Sequence, residues 1–132
     1  MQAKGTFSVK SFVPTEITPT ITTGVPVGIA IIEKEFEGDA VGRATTLFTA
    51  AFDQGTGVGT YVAMESFEGS LNGRSGAFTF AHSATTFGDD RNDELFVIVP
   101  GSGTGELAQI RGGGGMAVDA DGTHRIWFDY EL

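Results

Sequence analysis

The chain has 132 residues, the length of one domain, and its 40% hydrophobic and 19% charged content is typical of a globular protein rather than a disordered one. Its formal net charge of −9, without any basic cluster, argues against nucleic acids and anionic membranes as partners. It contains no cysteine, which excludes disulfides, thiol catalysis and thiolate metal sites.

Residues alternate between apolar and polar along most of the chain, and this period of two predicts strands. No window has a clean helical period, although residues 105–110 fit one helical turn. Three prolines interrupt a threonine-rich segment at residues 14–26, which predicts a loop or short edge pieces. The strands are predicted at residues 5–13, 27–37, 40–52, 61–69, 74–83, 94–99, 116–119 and 123–132.

This series of strands predicts an all-β fold in a single domain over residues 1–132. We expect a small antiparallel β-barrel of about eight strands, lipocalin-like in shape, because closure removes the exposed edges that such a chain would otherwise carry. The first residues lead into a strand rather than an apolar signal segment, and no apolar run reaches the length of a membrane span. We therefore expect a cytoplasmic protein.

Gly38-Asp39 is predicted to form a two-residue hairpin turn, because glycine occupies the first central position. That register puts Glu35 on the same face as Phe48. Glu33 lies on this face too, so both carboxylates would join a cavity if the face points inward. The alternative is that they lie at a solvated end of the barrel.

Asn72-Gly73 is the strongest short turn signal in the chain and favours a type I′ hairpin. The turn at residues 54–57 is ambiguous by one residue, and a slip there would exchange the two faces. With Asn72 and Gly73 central, Phe67 pairs with Phe78, and we expect the aromatic face to be the inner one. That face consists of Tyr61, Ala63, Glu65, Phe67, Phe78, Phe80 and His82.

Seven glycines and a proline lie within residues 99–115, a density that marks turns, bulges and a close crossing of the backbone. A phosphate-binding loop would need a Gly-Lys-Ser/Thr ending, which is absent. Residues 112–117 fit a degenerate G-x-G-x-x-A, but a strand end and a turn follow where a dinucleotide site requires a helix. We interpret the stretch as a structural loop.

Three motifs carry a family resemblance: E-x-x-x-G-x-L-x-G-R-S-G-x-F at residues 65–78, the pair His82-Ser83, and V-P-G-S-G-T-G-E-L-A at residues 99–108. They resemble the bacterial family known as domain of unknown function 3224, over nearly the whole chain. That family is similar to the allene oxide cyclase barrel, which implies a small eight-stranded antiparallel barrel with an apolar cavity. Plant allene oxide cyclases are cofactor-free trimers, so the resemblance also implies a homo-oligomer, either dimer or trimer. It does not extend far enough to imply their reaction.

Glu65 and His82 are the candidate catalytic residues, because the hairpin register makes them a diagonal pair with Cβ atoms roughly 7 Å apart. Burial among phenylalanines would raise the pKa of the carboxyl, and the imidazole beside it would serve as a general acid or base. The alternative is a hydrogen-bonded polar pair that only stabilises the barrel. Tyr61 is either a hydrogen-bond donor to a ligand oxygen or a core tyrosine.

We expect no metal and no cofactor. The two histidines are far apart in sequence, which argues against zinc. Asp119-Ala120-Asp121-Gly122 starts like a calcium loop, but its twelfth position is Tyr130 rather than glutamate.

Three functional hypotheses remain open at this point. In the first, the barrel binds a small apolar or aromatic molecule. In the second, it is a cofactor-free cyclase or isomerase that uses Glu65 and His82. In the third, it is an oligomeric structural or interaction protein with a filled core. The predicted ligand-binding residues are Tyr61, Phe67, Phe78, Phe80, Glu35 and Phe48.

Overall fold

The computed structural model describes residues 1–132, which form eight antiparallel strands in a closed ring. Each strand pairs with its neighbours in sequence and β8 pairs with β1, which confirms the all-β antiparallel barrel. A 3₁₀ turn at Gly105–Leu107 is its one helical segment, and no helix is long and apolar enough to cross a bilayer. The strands are β1 (Gln2–Pro14), β2 (Val27–Gly38), β3 (Ala40–Asp53), β4 (Val58–Leu71), β5 (Arg74–Phe87), β6 (Asp90–Ile98), β7 (Arg111–Val118) and β8 (His124–Glu131).

The Asn72-Gly73 hairpin has the predicted register, with Leu71 opposite Arg74 and Phe67 opposite Phe78. Both turn residues have positive φ, 49° and 82°, as a type I′ turn requires. The hairpin at residues 54–57 pairs Asp53 with Val58, which resolves the ambiguity left by the sequence. As a result the inward faces of β3, β4 and β5 form one continuous surface.

The turn between β2 and β3 differs from the prediction by one residue. Asp39 is the only residue between β2 and β3. Lys34 is therefore opposite Ala44 on β3, rather than opposite a residue whose side chain points out of the barrel. Strand β1 causes the shift, because the Asp39 N–H donates to the Lys4 carbonyl while the Lys4 N–H donates to Asp39 Oδ2. The slip exchanges the faces of β2. Lys34 therefore points inward, whereas Glu33 and Glu35 are exposed to solvent. Of the two open alternatives the solvated one is correct, and the prediction of Glu35 as a ligand-binding residue is wrong.

The glycine-rich stretch is only partly the loop that the sequence predicts. Residues 99–110 form a loop with the 3₁₀ turn, which buries Leu107 and Ile110 in the core. Residues 111–118, in contrast, form strand β7. Its glycines permit the close approach of β8, since a Cβ at Gly114 would collide with the Trp127 carbonyl and one at Gly115 with the Trp127 ring.

A cluster of fifteen buried side chains fills one end of the barrel. Phe67, Phe78 and Phe80 meet there, with Phe128 edge-on to the rings of Phe78 and Phe80. These aromatic contacts close this end of the barrel.

A row of uncharged side chains crosses the outside of five strands in consecutive cross-strand pairs. Leu47 and Met64, in the middle of the row, are each about half exposed. The row consists of Ile31, Leu47, Met64, Ala81 and Val97. We call it the outer row.

Candidate functional site

The end of the barrel opposite the filled core contains a cavity of about 650 Å³. All eight strands contribute residues to its walls, and most of these residues are apolar. Phe48 stacks on Tyr61 at 5.2 Å between ring centroids, and Phe12 meets Phe48 edge-on at 6.2 Å. The apolar wall residues include Phe7, Phe12, Ile32, Phe48, Phe52 and Met116.

The floor of the cavity is polar. Lys34, Thr46 and His82 line it, and Glu65 lies directly beneath them with no exposed surface. One carboxylate oxygen, Glu65 Oε1, accepts from Lys34 Nζ at 2.8 Å and from His82 Nε2 at 2.9 Å. The floor is thus a buried ion pair with an imidazole bound to the same oxygen.

A chain of hydrogen bonds leads from this floor to the rim. The Tyr61 hydroxyl and His82 Nδ1 are 2.8 Å apart, and Arg91 donates to the Tyr61 oxygen at 3.1 Å and to Glu94 at 2.7 Å. A carboxylate only accepts, so His82 donates to Glu65 from Nε2. In the tautomer that carries a proton only on this nitrogen, Nδ1 accepts from the Tyr61 hydroxyl, and every polar group between Arg91 and Glu65 then has a hydrogen-bond partner.

The Glu65 carboxyl is held in its ionised form. Burial alone would raise its pKa, but the hydrogen bond from His82 and the ammonium of Lys34 outweigh burial, and the pKa lies below its usual value. The expectation of a raised pKa is therefore wrong, because the hydrogen bond from His82 and the charge of Lys34, which the predicted register turns outward, outweigh the effect of burial. Burial raises the pKa of Tyr61 despite the opposing effect of Arg91, so its phenol stays neutral.

Two buried oxygens of the cluster have no hydrogen-bond partner, Thr46 Oγ1 and Glu65 Oε2. These residues are directly opposite each other on β3 and β4. The Lys34 ammonium, in turn, lies 4.5 Å from the centre of the Phe7 ring, a favourable cation–π distance. The hydrogen-bonding capacity of the cluster is therefore not exhausted within the protein.

The predicted site residues divide into three groups. Tyr61, Phe48 and His82 line the cavity, and Glu65 lies just beneath it. The three core phenylalanines do not line it. Glu35 is outside the barrel, 64% exposed and 3.4 Å from Lys10.

Two charged residues of the site, Lys34 and Arg91, and the uncharged Thr46 were missed. A signal for Lys34 is present in the sequence, since it is the one charged residue on a face shared with Ala30, Ile32 and Phe36. Arg91 belongs to β6, which begins at Asp90, four residues before the strand that the sequence predicts there. The structure brings together no group of three or more metal-ligating side chains.

The fold and the cavity define a small antiparallel β-barrel with one filled end and one open end. The chain belongs to the family described as "Protein of unknown function (DUF3224)", whose model matches residues 3–130. It is similar to the crystal structure of a family member of unknown function from Shewanella oneidensis MR-1, with 28% identity and a TM-score of 0.83 over 100% of this chain and 97% of that chain. No curated protein matches the sequence. The family resemblance is thus confirmed, whereas the similarity to allene oxide cyclases stays a prediction.

Proposed function

We propose that this barrel binds a small, mostly apolar molecule in its open end. The observation that carries the proposal is the cavity of about 650 Å³, with apolar walls and a few convergent polar groups on its floor. Ligand sites typically have volumes of roughly 300–1,000 Å³ and combine these two features.

The walls and the charges favour a neutral, planar ligand. The rings of Phe48 and Tyr61 present flat surfaces, against which an aromatic molecule packs well. The charge of Lys34 is balanced by Glu65, and that of Arg91 by Glu94. The polar groups therefore add no net charge that would select a strongly ionic ligand.

A pair of tryptophan variants on adjacent residues tests this proposal. Ala50 lines the cavity, whereas the neighbouring Thr49 points outward. With the neutral, donor-free fluorophore 1,6-diphenyl-1,3,5-hexatriene, we expect saturable binding by the wild type and by Thr49→Trp. Ala50→Trp projects an indole ring into the cavity and is expected to weaken or abolish that binding. Unchanged binding by a folded Ala50→Trp variant would contradict the proposal.

A second candidate is cofactor-independent proton-transfer catalysis, as in a cyclase or isomerase. The hydrogen-bonded series Tyr61–His82–Glu65 favours it, because a proton on a cavity-facing phenol is linked to a buried carboxylate. In this reading the Tyr61 oxygen takes a proton from the substrate carbon as the phenol proton passes to His82 Nδ1, and Glu65 stabilises the resulting imidazolium. The protons return by the reverse steps to give the product.

The test is hydrogen–deuterium exchange at the methyl carbon of 2-acetylnaphthalene, measured by mass spectrometry. We expect Tyr61→Phe to slow protein-catalysed exchange by on the order of 100-fold. Exchange at the uncatalysed rate in the wild type would remove this candidate and leave the binding function intact.

A further inference from the structure

Lys34 has hydrogen-bonding capacity that the protein does not use. An ammonium group has three N–H donors, and here one binds Glu65 Oε1 at 2.8 Å. A second side of the ammonium group faces the Phe7 ring, whose centre lies 4.5 Å from Nζ. Because Lys34 lines the cavity while only 5% of its side chain is exposed, a molecule in the cavity, rather than bulk solvent, is the partner available to the remaining donor.

The same floor offers a ligand no accessible acceptor. Both nitrogens of His82 are engaged, by Tyr61 and by Glu65. The unpartnered oxygens of Thr46, at the floor, and of Glu65, beneath it, are themselves fully buried. A ligand hydroxyl or amine would therefore leave its own hydrogen unpaired, at a cost similar to a lost hydrogen bond.

Charge excludes the other common acceptor, a carboxylate. The ammonium of Lys34 is already neutralised by Glu65, so an anionic ligand would add an uncompensated charge to an apolar cavity. The chain as a whole also has a formal net charge of −9 and repels anions at long range. The group that fits is a neutral acceptor without a donor.

We propose that the ligand of this cavity is a neutral carbonyl compound whose oxygen accepts a hydrogen bond from Lys34 Nζ. The inference rests on the proposed binding function and names its ligand class. A carbonyl oxygen has two acceptor lone pairs and no hydrogen, and a hydrogen bond from a charged donor is stronger than one between neutral groups.

Three naphthalenes that differ only in one substituent test the inference by calorimetric titration. They are 2-acetylnaphthalene, 2-ethylnaphthalene and 1-(2-naphthyl)ethanol. The ketone is expected to bind about 10-fold or more tightly than the hydrocarbon, and the alcohol is expected to lack this gain. Equal affinities would overturn the carbonyl inference but leave the binding function standing. Absence of binding by all three would overturn the binding function itself.

Variants assign the effect to Lys34. Lys34→Met alone leaves Glu65 buried without its counter-charge, so the informative protein is the double variant Lys34→Met/Glu65→Gln. It should lose the preference for the ketone, whereas Lys10→Met, at a lysine that is 53% exposed, should keep it. A ketone preference that persists in the folded double variant would contradict the assignment.

A spectroscopic measurement on the wild type keeps the test independent of how well any variant folds. The infrared carbonyl stretch of ¹³C-labelled 2-acetylnaphthalene is expected at lower frequency in the complex than in hydrocarbon solvent, because an ammonium donor weakens the C=O bond. A bound ketone with an unshifted band would overturn the inference.

Discussion

At the scale of single residues, the buried pair of Lys34 and Glu65 decides both the chemistry and the stability of the site. Lys34→Met removes the counter-charge and a hydrogen bond from a fully buried carboxylate. We expect it to lower the free energy of unfolding by about 3–5 kcal/mol in urea denaturation. The double variant with Glu65→Gln is expected to recover most of the loss. A single variant as stable as the wild type would show that the pair contributes nothing.

The same carboxylate makes stability depend on pH. The pKa of Glu65 is lower in the folded state than its ordinary value of 4.5. Its contribution is therefore fully present above the unfolded pKa and is lost as the pH falls through the folded pKa. Below about pH 4.5, the wild type should lose more stability than Lys34→Met/Glu65→Gln, measured as Tm against pH. Parallel curves for the two proteins would refute this role.

At the scale of secondary-structure elements, the two hairpins explain which parts of the site were predictable. Asn72-Gly73 determines its own register, because both residues adopt positive φ and few other turns accept that pair. Hence the opposition of Glu65 and Phe80 follows from sequence and is confirmed. The Gly38-Asp39 turn is instead set by a contact with β1 that local sequence does not reveal. Because the predicted register is wrong by one residue, it places the side chain of Lys34 outside the barrel and that of Glu35 inside, the reverse of the observed arrangement.

The first part of strand β7, residues 111–115, was missed for a different reason. Four consecutive glycines carry no apolar–polar alternation, so the period that indicates a strand is absent from residues 112–115. What makes this segment a strand is the close packing of β8 against it, a property of the assembled barrel.

This packing predicts a sharp difference between two glycine-to-alanine substitutions. A Cβ at Gly114 would collide with the Trp127 carbonyl, whereas one at Gly28 meets nothing within 4 Å. Gly114→Ala is expected to lower the free energy of unfolding by about 1–3 kcal/mol, and Gly28→Ala to leave it nearly unchanged. Chemical denaturation of both variants checks this. Equal stabilities would mean that β7 and β8 separate without cost.

At the scale of the whole molecule, the barrel divides into a filled end and an open end. The sequence predicted one aromatic inner face but not this division, because position along a strand does not say where the side chains of opposite walls meet. Phe67, Phe78 and Phe80 fill one end, while Phe48 and Tyr61 remain at the wall of the other. The core is therefore filled at one end of the barrel and open at the other.

The outer row leads to a prediction about assembly. In a chain with a net charge of −9, five strands share a row without any charged side chain. A second copy of the chain has the same outer row. Contact between the two rows would bury apolar side chains without removing a charged group from water. We expect a homo-oligomer by sedimentation equilibrium, and Met64→Lys is expected to dissociate it. A monomeric wild type would contradict this expectation.

The most direct measurement of the central claim is methyl NMR of the protein titrated with 2-acetylnaphthalene. If the open end is the binding site, the methyl signals of Ala30 and Ala50 should shift saturably, while those of Ala3 and Ala40 in the filled end should not. Shifts confined to Ala81 on the outer row, or no shifts at any of these methyl groups, would contradict the account.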